Sequence, residues 1–251
     1  MSSDDQPLVE GRKSNPNIRP DEQNKTRSPG DFAATPPNPR AFKTGFSPDF
    51  LKAYHAGVMR YTYRGIGCLK SPIDLAIYMM VIWDKKPGTI VEIGSFQGGA
   101  AEFYFDLTRT YGLETAIITV DFRDVRTADD APSRIEFIQA DALDLANSAL
   151  HERLKSAPRP WLIIEDSAHT YEVTHAAMAY FADVMEPGEL LIVEDGVIED
   201  QGANWRYDGG PNRAVNTFFE NRPDVFRVVE HYNDFFGTNV SFNPNGYLEK
   251  L

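Results

Sequence analysis

Two runs of large apolar residues, Trp161-Leu162-Ile163-Ile164 and Leu190-Leu191-Ile192-Val193, stop at carboxylate pairs, Glu165-Asp166 and Glu194-Asp195. Neither run alternates apolar with polar, so each reads as a strand buried on both faces, the pattern of a parallel sheet covered by helices. In such sheets ligands collect at the carboxyl ends of the strands, which is where both acidic pairs fall. Acidic tips on neighbouring strands would converge and repel one another. A bound hard cation with oxygen ligands is the simplest reason to tolerate them.

The rest of the chain repeats the strand–helix rhythm after Lys85-Lys86-Pro87-Gly88. Strands are expected at Thr89–Ser95, Ala116–Phe122, Ile135–Ala140, Trp161–Asp166, Glu189–Asp195, Phe226–His231 and Val240–Asn243. Helices are expected near Gly98–Arg109, Leu143–Lys155, Tyr171–Met185 and Asn212–Asn221. This alternation implies right-handed crossovers and a doubly wound α/β fold with a mostly parallel, seven-stranded sheet. The last two strands have no helical pattern between them, which favours an antiparallel final strand. Ahead of the sheet, Ser71-Pro72-Ile73-Asp74 opens a helix with serine as N-cap and proline at the first position. Residues 1–43 are polar, rich in Pro, Asn, Asp and Ser, and expected to be a disordered tail. The organisation expected is therefore a tail over 1–43, a helical cap over 44–88 and a sheet domain over 89–251.

Charge and cysteine content narrow the function. A net charge of −12 argues against a nucleic-acid partner. Cys68 is the only cysteine, which excludes an internal disulfide and a thiolate zinc cluster. No stretch reads as a signal peptide or membrane span, so no membrane partner and a cytoplasmic location are expected.

The turn Glu92-Ile93-Gly94-Ser95-Phe96-Gln97-Gly98-Gly99 follows a strand and opens a helix, and its glycines would let backbone approach a ligand. It departs from the dinucleotide GxGxxG pattern, favouring a cofactor without a pyrophosphate. Asp121 ends the next strand, where an acid can accept ribose hydroxyls; Asp141-Ala142 ends the third, placed to meet an adenine edge. In register, these signals favour S-adenosylmethionine. The competing reading is a tight turn with two capping acids.

At the acidic tips, Asp166, Glu194 and Asp195 offer three oxygen ligands, which suits Mg²⁺. The competing reading is that they cap the helices that follow. His169, three residues past Asp166, should face the same crevice as a candidate general base, or serve as a hydrogen-bonded turn residue. The long segment Ile198–Arg213 and the stretch Tyr61–Gly67 are candidates for the walls of a substrate pocket, or for plain surface.

Several of these motifs together resemble the cephalosporin hydroxylase / rhamnosyl O-methyltransferase family. The likeness rests on Leu69-Lys70-Ser71-Pro72, Val91-Glu92-Ile93-Gly94-Ser95, Ile164-Glu165-Asp166-Ser167-Ala168-His169, Val193-Glu194-Asp195-Gly196 and Asn243-Pro244-Asn245-Gly246. It spans about Tyr54 to Leu251. The resemblance implies a Rossmann-like class I methyltransferase, dependent on S-adenosylmethionine and Mg²⁺, that methylates a hydroxyl of a natural product or sugar. The cofactor contacts expected are Glu92, Gly94, Ser95, Gly99, Asp121, Asp141, Ala142 and Ser71. Around the metal the chain is also similar to macrolide-sugar O-methyltransferases, which implies Asp166, Glu194 and Asp195 as ligands and His169 as the base. Relatives of this kind are commonly multimeric, so a homo-oligomer is expected. Two other readings stay open: a metal-dependent oxygenase, and a non-catalytic scaffold that binds S-adenosylmethionine.

Overall fold

The computed structural model describes residues 40–126 and 135–251. The expected tail therefore lies outside the described residues except at its end. There Arg40 donates to Asp234 (2.6 and 3.0 Å) and to Asn245 Oδ1 (2.7 Å).

Seven strands form one sheet: β3 (Thr89–Ile93), β4 (Ala116–Asp121), β5 (Ile135–Gln139), β6 (Trp161–Glu165), β7 (Leu190–Val193), β8 (Phe226–Val228) and β9 (Tyr247–Lys250). Their order across the sheet is β5-β4-β3-β6-β7-β9-β8. The first five pair in parallel, and β9 runs antiparallel to both β7 and β8. The doubly wound sheet with an antiparallel end follows from the strand–helix rhythm. The position of its last strand does not: Val240–Asn243, expected as a strand, is irregular bend between two turns, and β9 begins at Tyr247. Asn239 and Asn245 hold left-handed backbone there, which a continuing strand cannot accommodate. The strand expected to reach His231 ends at Val228, and the short helix α7 (Glu230–Asn233) follows it. The expected helix Leu143–Lys155 is divided into a 3₁₀ segment, Ala142–Asn147, and α4 (Ala149–Leu154). Asp144 leaves helical geometry inside the former, and Ser148 is extended between the two.

Helices cover both faces. On one lie α2 (Pro72–Lys85) and α3 (Gly99–Thr110), packed with Ile90, Ile117, Leu162, Ile164, Leu190 and Ile192. On the other, α4, α5 (Tyr171–Val184) and α6 (Gly210–Asn221) pack against Val91, Val120, Ile163, Leu191 and Val193. Every strand residue alternates between these two faces. In α2, Ile77, Tyr78, Val81 and Ile82 are fully buried, and each apolar side chain so removed from water contributes roughly 1.5–3 kcal/mol. Ser71 caps the helix as expected, its Oγ accepting from the Asp74 N–H at 3.3 Å. Before it come α1 (Pro48–Val58) and a small hairpin, β1 (Thr62–Tyr63) with β2 (Ile66–Gly67), turning on Arg64-Gly65. The described residues from Arg40 on form one compact unit. None of their helices is long and apolar enough to cross a membrane.

Strand order reverses between β3 and β6: the chain winds outward from β3 to β5, then returns to the other side. The crevice at such a switch point is open at the carboxyl ends of the strands. The ladder pairs Ile93 with Glu165 and Glu165 with Val193, so the next residues, Gly94, Asp166 and Glu194, line that edge.

Candidate functional site

The glycine turn is held against the β6 tip. Gly94 has φ +105°, and a Cβ there would stand 2.0 Å from the Asp166 carbonyl oxygen, so only glycine fits. Gly99 opens α3 against the hairpin, where a Cβ would meet the Gly67 carbonyl at 2.5 Å. Ser95 Oγ hydrogen-bonds Thr119 Oγ1 across to β4. The Asp121 carboxylate reaches the same turn and accepts from the Phe96 N–H at 3.0 Å. Gly94, Ser95 and Asp121 thus meet at one turn, which Gly99 follows, while Glu92 is buried behind it and accepts from Thr119 Oγ1 at 3.5 Å. Asp141 caps its own 3₁₀ segment, accepting from the Leu143 N–H at 2.9 Å, with Ala142 in the first turn. Ser71 gives its hydroxyl to the cap and to Tyr54 Oη at 3.0 Å.

At the acidic tips, ligand atoms of Asp166, His169 and Asp195 lie within 4.8 Å of one another. His169 and Asp195 both hold left-handed backbone, φ 57° and 58°, conformations of low population that persist only where the surroundings enforce them. For Asp195 the enforcing contact is visible: its N–H donates to Asn243 Oδ1 at 3.0 Å. Asn243 belongs to the Asn-Pro-Asn-Gly turn, which is strapped to the first turn of α2 through Asp74. The Asp74 carboxylate accepts from Ser241 Oγ, from the Phe242 N–H at 2.9 Å and from Tyr247 Oη at 2.9 Å. For His169, Thr170 caps α5, and the Tyr171 N–H donates to the Tyr207 carbonyl at 3.0 Å, tying the loop after β7 to this turn. His169 Nε2 stands 3.5 Å from Asp195 Oδ2, while Nδ1 is buried with no hydrogen-bond partner.

Glu194 lies deeper, on the α2 side of the same tips. Its Oε1 accepts from Lys70 Nζ at 2.6 Å and from Tyr78 Oη at 2.5 Å. The same ammonium reaches Asp166 Oδ2 at 2.5 Å and lies 3.5 Å from Glu92 Oε1. Lys70 is 3% exposed, a buried cation among three carboxylates. Burial alone would lower its pKa; Asp166 and Glu194 override that and hold it well above the usual lysine range. Burial pushes the Glu194 carboxyl well up, with Asp166 adding to the rise and Lys70 opposing it. Asp195 is likewise raised by burial, against the pull of His169. The Glu92 carboxyl is pushed by burial up to about 7, again opposed by Lys70.

Lys70 carries no label in the sequence beyond its place in a motif. A signal was available all the same. Strand alternation puts Glu92 on the face of Ile90, Asp166 on that of Ile164, and Glu194 on that of Ile192. All three share the side covered by α2, the helix that Lys70 precedes.

The loop after β7 is shorter than Ile198–Arg213, because α6 begins at Gly210. It holds a 3₁₀ turn, Asn204–Arg206, with Trp205 74% exposed on it. Tyr207 brings its ring centroid to 6.2 Å from that of His169, so this loop borders the site.

A family model described as Rhamnosyl O-methyltransferase/CmcI matches residues 56–251. The chain belongs to that family. The rhamnosyl O-methyltransferase of Mycobacterium tuberculosis (strain ATCC 25618 / H37Rv) is 27% identical over 208 residues, 80% of this chain and 83% of that protein. The rhamnosyl O-methyltransferase of Mycobacterium leprae (strain TN) is 28% identical over 190 residues, covering 74% and 82%. Among solved structures, one of CmcI with Mg and SAM has a TM-score of 0.60 at 27% identity, covering 77% of each chain. A putative caffeoyl-CoA O-methyltransferase from Staphylococcus aureus shares the fold alone, with a TM-score of 0.51 at 13% identity over 82% of this chain and 93% of that one. The sheet is that of the class I methyltransferases, and the chain is an S-adenosylmethionine-dependent O-methyltransferase acting on a small-molecule acceptor.

Proposed function

We propose that this family member moves the methyl group of S-adenosylmethionine to a hydroxyl of a sugar or other natural product. In this reading Asp166, Glu194 and Asp195 hold Mg²⁺ and His169 is the general base. The convergence of Asp166, Asp195 and His169 at the switch-point crevice carries it. The donor set fits a hard cation. Asp166 and Glu194 each give one oxygen to Lys70, the other oxygen of each accepts no hydrogen bond, and the Asp195 carboxylate accepts none, among the described residues. CmcI with Mg and SAM supports the same two small ligands, Mg²⁺ and S-adenosylmethionine, here; the family resemblance supports a homo-oligomer in natural-product biosynthesis.

Mg²⁺ bound there would supply a Lewis acid that makes an acceptor hydroxyl more acidic and fixes its direction. His169 takes the hydroxyl proton on Nε2, because Nδ1 is buried against the turn. Asp195, 3.5 Å from Nε2, stabilises the imidazolium that results. Glu92, Gly94, Ser95, Gly99 and Asp121 bind the methyl donor along the first two strands, with Asp141, Ala142 and Ser71 flanking it. Alignment of oxygen and methyl carbon supplies much of the rate, and exclusion of water by the Tyr207 loop favours a reaction in which opposite charges cancel.

A second reading has its own support: the three clustered side chains are Asp166, His169 and Asp195, so His169 could be a metal ligand instead of the base. His169→Ala separates them. As base, its loss lowers kcat by roughly 10²–10⁴-fold with Mn²⁺ and S-adenosylhomocysteine affinities kept. A large loss of Mn²⁺ affinity, measured by calorimetry, would establish the ligand role. Near-wild-type kcat would remove His169 from the chemistry.

A further inference from the structure

Lys70 is tied into the site from a part of the chain that supplies none of the proposed metal ligands. Leu69 before it holds left-handed backbone at φ 55°, and Ser71 after it is the N-cap of α2, so its backbone is fixed on both sides. From there one ammonium reaches Glu92 at the end of β3, Asp166 beyond β6 and Glu194 beyond β7. Among the described residues, no other lysine or arginine lies within ion-pair distance of Asp166, Glu194 or Asp195. Glu92, Asp166, Glu194 and Asp195 are four carboxylates against this one ammonium, a surplus of negative charge that a divalent cation would offset. Without Lys70 three buried or half-buried carboxylates would face one another across a few ångströms, an arrangement that water-poor surroundings penalise heavily.

We infer that Lys70 is a built-in counter-cation of the metal site: it takes one oxygen each of Asp166 and Glu194 and keeps the carboxylates assembled while no divalent ion is bound. The inference rests on the metal reading above. Lys70 is a positioning residue, not a base, because its ammonium is committed to carboxylates. It also shares those carboxylates with the metal. The same charge that holds the empty site together therefore reduces what metal binding adds to stability, and removing it should make the fold lean on the metal.

The test is thermal unfolding of wild type, Lys70→Met and Lys70→Met/Glu194→Gln, each in chelator and in Mg²⁺. In chelator, Lys70→Met should lower Tm by roughly 6–20 °C, the range for one broken buried ion pair in a chain of this size. Mg²⁺ should restore most of that loss, giving a larger metal-induced shift than in wild type. The double variant, which removes a carboxylate together with its partner cation, should melt above Lys70→Met in chelator. An equal loss with and without Mg²⁺ would make Lys70 a packing residue and overturn the inference. If Lys70→Met does not fold in chelator, the double variant decides: folding supports the counter-cation, failure overturns it. A wild-type Tm indifferent to Mg²⁺ is a separate result that overturns the metal reading, and this inference with it.

Discussion

At the amino end of the parallel strands one carboxylate sits between two cations. Glu249 of β9 accepts from Lys85 Nζ at 2.5 Å and from Arg227 Nη2 at 2.5 Å. At the carboxyl end the ratio is inverted: among the described residues Lys70 is the one cation beside Glu92, Asp166 and Glu194. The Lys70 cluster is largely buried and the Glu249 cluster half-buried, and both join helix to sheet. Burial pushes Glu249 up, but its two cations outweigh that and hold it below the usual glutamate range. Glu92 and Glu194 are pushed the other way. A cluster that serves only the fold can be neutralised by the chain itself. The other keeps surplus negative charge at a ligand crevice, with no second cation beside it among the described residues.

The largest effect that could break this contrast is on turnover. Asp195→Ala should cut methyl transfer by about 10³-fold, unrescued by added Mg²⁺, while Glu249→Gln should leave kcat within about twofold. Comparable losses from both would mean that the acidic tips are structural like Glu249. Next comes stability. Glu249→Gln loses charge-assisted hydrogen bonds and should cost about 1–3 kcal/mol in denaturant unfolding. At pH 8 in chelator, Glu92→Gln should be neutral or stabilising, because it removes a buried charge from a site with too many. A loss as large as that of Glu249→Gln would show that Lys70 needs all three partners.

The smallest effect is a pair of opposite pH slopes. Glu249 has a depressed folded-state pKa, so its contribution is present above the unfolded value, about 4.5, and is lost as pH falls below it. Glu92 has a raised one, about 7, so its contribution is full below about 4.5 and is lost as pH rises through about 7. Wild type minus Glu92→Gln should therefore fall in Tm between pH 5 and 8, and wild type minus Glu249→Gln should stay flat there and fall on acidification. Parallel slopes would cancel the distinction.

Most of the fold was legible because it is written in local signals: unbroken Ile, Leu and Val runs for two-sided strands, Ser71-Pro72 for a helix start, glycines for the turn after β3. The acids and His169 were legible because they stand at the ends of those runs. The last strand was not. Val240–Asn243 has strand-like composition, but Asn239 and Asn245 take left-handed geometry, and side-chain bonds from Asp74 and Asn243 make that segment a strap. The break at Asp144 was missed because helical periodicity continues across it. Lys70 was missed for a different reason. Its partners are 22, 96 and 124 residues away, so its role exists only once the sheet is assembled.

The position of β9 between β7 and β8 orders events in time. Phe226–Val228 leaves the ribosome before Tyr247–Lys250, yet pairs with the sheet only through it. Until the later segment inserts, the earlier one is an orphan with nothing to bond. Contacts this late and this distant in sequence slow closure of a sheet. The Asn243 turn that orients Asp195 lies between the two strands, so the Asp195 side of the crevice should mature last. In hydrogen exchange, amides of β8 and β9 should open together as one cooperative unit, distinct from β3 and β4, where the methyl donor would bind.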